Sequence, residues 1–294
     1  MTARTVALRD GALRVCEWGE TGSPALLYWD GLGGCGLHAN ELASLLVREY
    51  GLRVISPDPP GHGESAALPA DSYRPSALAE VAADLLAELG IDRALFVGFS
   101  WGARVGCSFA ARFPERTAGL ALIDGGYVDP GDVGADLTAD LATCVADARQ
   151  EIEEDSFSSW DAYFAFERES LGRWTPALEA AHRAAMRELN GRVVPILEPE
   201  VLGAIKHGGR REPVTETYPL IAASGLPVLL LTAPELDVPE IAEGGIRRFR
   251  TALPEARVES VPDGIHDLVS HAPARVAELV GEFVADSAAG QPPP

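Results

Sequence analysis

Short apolar runs alternate with stretches of helical spacing along the first part of the chain. Thr5–Leu8, Ala12–Trp18 and Ala25–Trp29 read as strands, each punctuated by glycine or polar residues. Asn40–Tyr50 carries Leu42, Leu45 and Leu46 at helical spacing and is stopped by Gly51. Leu52–Ser56 predicts a strand that runs into Pro57-Asp58-Pro59-Pro60-Gly61-His62-Gly63, a stretch only a loop accommodates. Ser76–Leu89 predicts an amphipathic helix, with Ser76 as N-cap and Gly90 as stop. Ala94–Gly98 (strand), Trp101–Phe113 (helix) and Ala118–Ile123 (strand) continue the alternation. Such alternation predicts an α/β fold: a mostly parallel central sheet with helices on both faces.

The alternation breaks near residue 125 and resumes with the buried strand Pro227–Thr232, helix Ile241–Leu253, strand Arg257–Val261 and helix Pro273–Asp286. Between them the pattern predicts helices and loops without a strand: Thr138–Glu154, Trp160–Ser170, and Pro176–Leu189 closed by Asn190-Gly191. The predicted organisation is a core of residues 1–128 and 216–294, a helical insert at 129–215, and a disordered tail at 288–294.

Composition narrows the function. Of 294 residues, 47% are hydrophobic, which excludes a disordered chain. The 44 acidic and 24 basic residues give a net charge of -20, and a polyanionic nucleic acid would be repelled by that surface. Cys16, Cys35, Cys107 and Cys144 lack metal-ligand spacing and read as reduced packing thiols. With no apolar run for a signal peptide or a membrane span, the expectation is a cytoplasmic protein, monomeric or homodimeric, that engages neither membrane nor nucleic acid.

Gly98-Phe99-Ser100-Trp101-Gly102 lies between a predicted strand and a predicted helix. A sharp turn there raises a serine hydroxyl, and glycines on either side relieve its crowding. Ser100 needs a base, and His266, in Asp263-Gly264-Ile265-His266-Asp267 after the last strand, falls on the same sheet edge. The histidine needs a carboxylate to hold its tautomer. Asp237 is the first choice, with Glu235 beside it and Asp124, at the end of Leu120-Ala121-Leu122-Ile123, as further candidates. The backbone N–H groups of Trp101 and Leu32, the latter in Asp30-Gly31-Leu32-Gly33-Gly34, would hold a developing oxyanion.

These motifs, with Asp58-Pro59-Pro60-Gly61-His62-Gly63-Glu64-Ser65, resemble the α/β-hydrolase superfamily over nearly the whole chain. The serine–acid–histidine order is that family's order. The resemblance implies Ser100 as nucleophile, Asp237 as acid and His266 as base, with the insert as a lid like that of esterases, lactonases and carbon–carbon bond hydrolases. It implies a serine hydrolase acting on an ester, lactone or thioester of a small molecule through an acyl-enzyme, without metal or organic cofactor. Carbon–carbon hydrolysis or a lyase step with the same triad is one alternative, and a non-catalytic ligand-binding member of the fold is another. Asp30 departs from the histidine usual at its position; it must point away, pair with a cation or be neutralised by burial. Asp30, Trp160, Tyr163 and Phe164 are candidate pocket residues.

The insert's 17 acids against 9 bases surround the route a substrate would take. Neutral lipophilic substrates should therefore be preferred, and a carboxylate-bearing ester should be turned over more slowly than its neutral analogue at low salt. Comparing kcat/KM for the pair across ionic strength checks this; a faster anionic ester contradicts it.

Overall fold

Alternate side chains along the strands point to opposite faces of the sheet, and that period decides which helices cover which face. The computed structural model of the protein describes residues 1–234 and 239–289. β1 (Thr2–Leu8), β2 (Gly11–Trp18), β3 (Ala25–Trp29), α1 (Asn40–Tyr50) and β4 (Arg53–Pro57) open the chain. α2 (Pro75–Glu88), β5 (Ala94–Phe99), α3 (Trp101–Arg112) and β6 (Thr117–Ile123) follow. The next segment holds α4 (Leu141–Glu154), α5 (Trp160–Leu171), α6 (Pro176–Ala185), β7 (Met186–Leu189), β8 (Arg192–Pro195) and α7 (Pro199–Arg211). α8 (Tyr218–Ser224), β9 (Val228–Thr232), α9 (Pro239–Ala252), β10 (Arg257–Ser260), α10 (Leu268–His271) and α11 (Pro273–Ala289) complete it.

Eight strands form one sheet in the order β1-β2-β4-β3-β5-β6-β9-β10. β2 pairs antiparallel with β1 and β4, and the pairings from β4 to β10 are parallel. Leu27, Trp29 and Phe96 point to the face covered by α2, α3, α8 and α9. Leu26, Tyr28 and Val97 point to the face covered by α1 and α11. This is the predicted architecture, a mostly parallel sheet with helices on both sides. All four cysteines are buried free thiols, Cys16 and Cys107 on opposite faces of the sheet.

Two expectations are corrected. Helix α6 stops at Ala185, and Met186–Leu189 pairs with Arg192–Pro195 as an antiparallel hairpin. Asn190 and Gly191, read as a helix stop, are its two-residue turn, with φ of 53° and 75°. Asn-Gly is the pair that supplies two left-handed residues in a turn matching the twist of the strands. Ser76 is not an N-cap either. Pro75, its φ already helical, opens α2, and the Ser76 N–H and Oγ donate to the Glu212 carboxylate at 2.9 and 2.7 Å. The tail Gly290-Gln291-Pro292-Pro293-Pro294 lies outside the described residues. Among the described residues no helix is long and apolar enough to cross a membrane.

Phe96 is the hub beneath the strand-to-helix turn, with ring centroids 6.4 Å from Trp29 and 5.1 Å from Phe109. Phe96→Ala should destabilise the protein by ~3–5 kcal/mol, from lost burial and the cavity left behind. Leu189→Ala, on an exposed hairpin position, should stay within about 0.5 kcal/mol. Urea unfolding of the two variants measures the difference.

Candidate active site

Parallel strands bring the C-terminal ends of β5, β6 and β9 to one edge, and the turns after β5 and β6 take left-handed backbone at Ser100 and Asp124. Ser100, between β5 and α3, has φ 51° and ψ -117°, a conformation that costs a non-glycine residue about 1–3 kcal/mol. Its neighbours make that turn possible. A Cβ on Gly98 would strike the Gly102 carbonyl, and one on Gly102 would strike the Trp29 carbonyl of β3. The Ser100 N–H donates to the Ile123 carbonyl at 2.9 Å, which ties the turn to the end of β6.

His266 completes a hydrogen-bonded line. Its Nε2 lies 2.9 Å from Ser100 Oγ and its Nδ1 lies 2.7 Å from Asp124 Oδ2. With the proton on Nδ1 donated to the carboxylate, Nε2 is the acceptor for the serine hydroxyl. The His266 side chain is 58% exposed, whereas Asp124 is buried. Asp124 Oδ1 also accepts from the Tyr127 hydroxyl at 2.8 Å and from the Ala233 N–H at 3.2 Å. Burial first, and then the charge of Asp124, push the Tyr127 phenol up, so it stays a neutral donor.

Among the described residues, the carboxylate on Nδ1 is therefore Asp124, the sequence's alternative. Asp237, its first choice, and Glu235 lie outside the described residues. The topology explains why Asp124 reaches: it ends β6, which is hydrogen-bonded directly to β5. Asp124 also has φ 42°, and a Cβ on the following Gly125 would strike the Ser100 carbonyl. Asp124-Gly125-Gly126 behind an apolar strand was the sequence signal for this turn.

Asp30 is buried and paired. Oδ1 accepts from the Tyr28 hydroxyl at 2.8 Å, and Oδ2 lies 2.7 Å from His38 Nδ1. Burial alone would keep the His38 ring neutral, but the charge and hydrogen bond of Asp30 outweigh it and raise its pKa. The Cys35 N–H also lies 3.2 Å from His38 Nδ1, but the shorter carboxylate contact assigns a proton on that nitrogen to Asp30. Sequence reasoning had no role for His38. Its spacing of eight residues from Asp30, across a glycine-rich turn, carries no periodic signal.

Gly31 packs against Ser100: a Cβ there would lie 3.3 Å from Ser100 Cβ. Leu32 follows on the cavity wall, 40% exposed. Trp101 opens α3, so its N–H belongs to the first turn, which has no intrahelical acceptor. Its ring stacks on buried His62 at 5.5 Å, and burial pushes His62 down to about 4.

Two hollows meet at Ser100 and His266. One, of about 390 Å³, extends from Ser100 past Asp30 and Leu32 to Tyr163, Glu167 and His182. The other, about 910 Å³, is bordered among the described residues by Trp101, Arg104, Asp124 and Tyr127. Asp30 and Tyr163 are thus on a cavity wall, as expected. Trp160 and Phe164 are not among the lining residues. They pack with Tyr163, Met186 and Val193 in a small aromatic core, with the Arg183 guanidinium 4.5 and 4.9 Å from their ring centroids. Aromatic spacing alone does not distinguish lining from packing.

Residues 24–161 match the family model of the alpha/beta hydrolase fold. That match covers just under half of the chain, and the whole described chain has the fold of the α/β hydrolases. Two relatives of this chain match over part of their length. A protein of Mycobacterium phage D29, named as a non-heme haloperoxidase, is 34% identical over 42% of this chain and 44% of its own. The 2-hydroxy-6-oxo-6-phenylhexa-2,4-dienoate hydrolase of Burkholderia cepacia is 35% identical over 36% of this chain and 35% of its own. The matched stretches thus span less than half of either relative. The thioesterase domain from the curacin biosynthetic pathway shares this chain's fold, with a TM-score of 0.74 and 21% identity over 95% of this chain and 98% of that one.

The Asp30–His38 pair has a pH signature. His38 has a folded pKa above its ordinary 6.5, so its contribution to stability is complete below about pH 6.5 and is lost as pH rises through the folded value. Asp30→Asn should lower the His38 pKa and remove that pH-dependent increment. NMR titration of the His38 ring with thermal melts across pH tests it; an unchanged His38 titration contradicts it.

Proposed function

We propose that this protein is a serine hydrolase acting on an ester, lactone or thioester of a small molecule, with Ser100 as nucleophile, His266 as base and Asp124 as acid. The observation that supports it most directly is the unbroken hydrogen-bonded line from Asp124 through His266 to Ser100. His266 Nε2 removes the Ser100 proton as Oγ attacks the carbonyl, and Asp124 stabilises the imidazolium so formed. The tetrahedral oxyanion is received by the N–H groups of Trp101 and Leu32, which act with the positive end of α3. His266 then returns its proton to the leaving group. Water, activated by the same ring, releases the acid from Ser100. The two hollows on either side of Ser100 would take the acyl and leaving groups. The segment at 129–215 would act as a lid, and the protein as a cytoplasmic monomer or homodimer.

Carbon–carbon bond hydrolysis by the same three residues is the second reading, and the Burkholderia cepacia relative favours it. A panel of p-nitrophenyl esters, lactones and vinylogous diketones separates the two by which class has the higher kcat/KM.

A fluorophosphonate should label the wild type and not Ser100→Ala. Ser100→Ala and His266→Ala should each lower kcat by about 10⁶-fold, and Asp124→Asn by about 10⁴-fold. Asp237→Asn should cost far less than Asp124→Asn, and the reverse ranking would return the acid role to Asp237. An unlabelled, folded wild type would refute the serine mechanism.

A further inference from the structure

The 390 Å³ cavity that holds Ser100 is also lined by two histidines that the mechanism does not use. His182, on α6, is 7% exposed, and its Nδ1 lies 2.9 Å from the Tyr163 hydroxyl. His38 is committed through Nδ1 to Asp30 at 2.7 Å. The Nε2 atoms of both rings are buried and have no hydrogen-bond partner among the described residues. The rings meet edge to face, with centroids 5.2 Å apart, on the wall of the cavity that also holds Ser100. A buried polar nitrogen without a partner is unfavourable, and two of them on adjoining rings that line one cavity leave a demand for a ligand atom.

We propose that His38 Nε2 and His182 Nε2 form a recognition subsite for a neutral keto or hydroxyl oxygen on the acyl part of the substrate, distal to the bond that Ser100 attacks. The inference rests on the serine-hydrolase reading for where the acyl part lies. The Asp30 carboxylate favours the charged form of His38, in which Nε2 carries a donor N–H, so the ligand atom is an acceptor. Burial and the neighbouring charge of His38 push the His182 ring down to about 3, so it stays neutral beside that cation. A carboxylate is disfavoured because Glu167, Asp155 and Asp267 line the same cavity. Burial, and then the charge of Asp267, push Glu167 up to about 7, which marks how poorly this wall tolerates another anion. The subsite sharpens the lipophilic preference expected from charge: the chain should be neutral, with one oxygen at a defined distance from the ester.

The test uses p-nitrophenyl esters of straight acyl chains carrying a ketone at successive positions, each against its methylene counterpart and a terminal-carboxylate counterpart. At one position the wild type should favour the keto ester by about 5- to 150-fold in kcat/KM, the factor that corresponds to satisfying a buried polar group. In His182→Phe that ratio should fall to near one, and His182→Gln, which keeps a polar atom, should restore part of it. Affinities of the matching keto and alkyl primary amides for Ser100→Ala and Ser100→Ala/His182→Phe need no turnover and should show the same preference and loss. No keto preference at any position, a preference unchanged in His182→Phe, or faster turnover of the carboxylate chain would overturn the subsite. Loss of fluorophosphonate labelling with a persisting amide preference would overturn the serine mechanism instead and leave the subsite standing.

Discussion

The site depends on backbone crowding around Ser100. Three glycines touch that turn where no side chain fits: Gly98 against Gly102, Gly102 against the end of β3, and Gly125 against the Ser100 carbonyl. Close packing of three strand ends, β3, β5 and β6, therefore sets the position of the serine hydroxyl more than any polar contact does. The strain at Ser100 is held by the Phe96–Trp29–Phe109 packing beneath it and by the Ser100 N–H bond to Ile123. The hydrogen bonds to His266 and Asp124 then follow from geometry already decided by the sheet.

The fold was legible because its signals are local and periodic. Ala25–Trp29 and Asn40–Tyr50 occur with the bounds their apolar spacing predicts, and other core elements shift by a few residues at their ends. The insert was harder. Met186–Leu189 continues a helical pattern into a hairpin because pairing with Arg192–Pro195, and the turn at Asn190-Gly191, outweigh helix propensity. A dipeptide that ends helices also turns hairpins, and spacing alone does not separate the two uses.

The site was legible in part for the same reason. Ser100 and His266 sit in motifs whose chemistry has no easy substitute, and they meet at 2.9 Å. The acid was ambiguous because three carboxylates follow strands ending on one edge; Asp124 meets His266, while Asp237 and Glu235 lie outside the described residues. Asp30 looked misplaced until its partner was known. The Asp30–His38 contact spans a turn with no repeating period, so charge pairing across it is invisible in one dimension. Tyr163 and Trp160 have the same composition signal, yet one lines the cavity and the other packs beside it.

The buried thiols turn this architecture into a clock. Cys16 and Cys107 lie on opposite faces of the sheet, and Cys144 lies in α4 of the insert, against Arg210. Burial raises the Cys16 thiol and pushes Cys107 up to about 12, so neither is a ready thiolate while the chain is folded. A thiol reagent therefore reacts at the pace at which each region opens. Single-cysteine variants would time the opening of the two sheet faces and of the insert separately, which converts a static packing detail into a map of how the molecule comes apart.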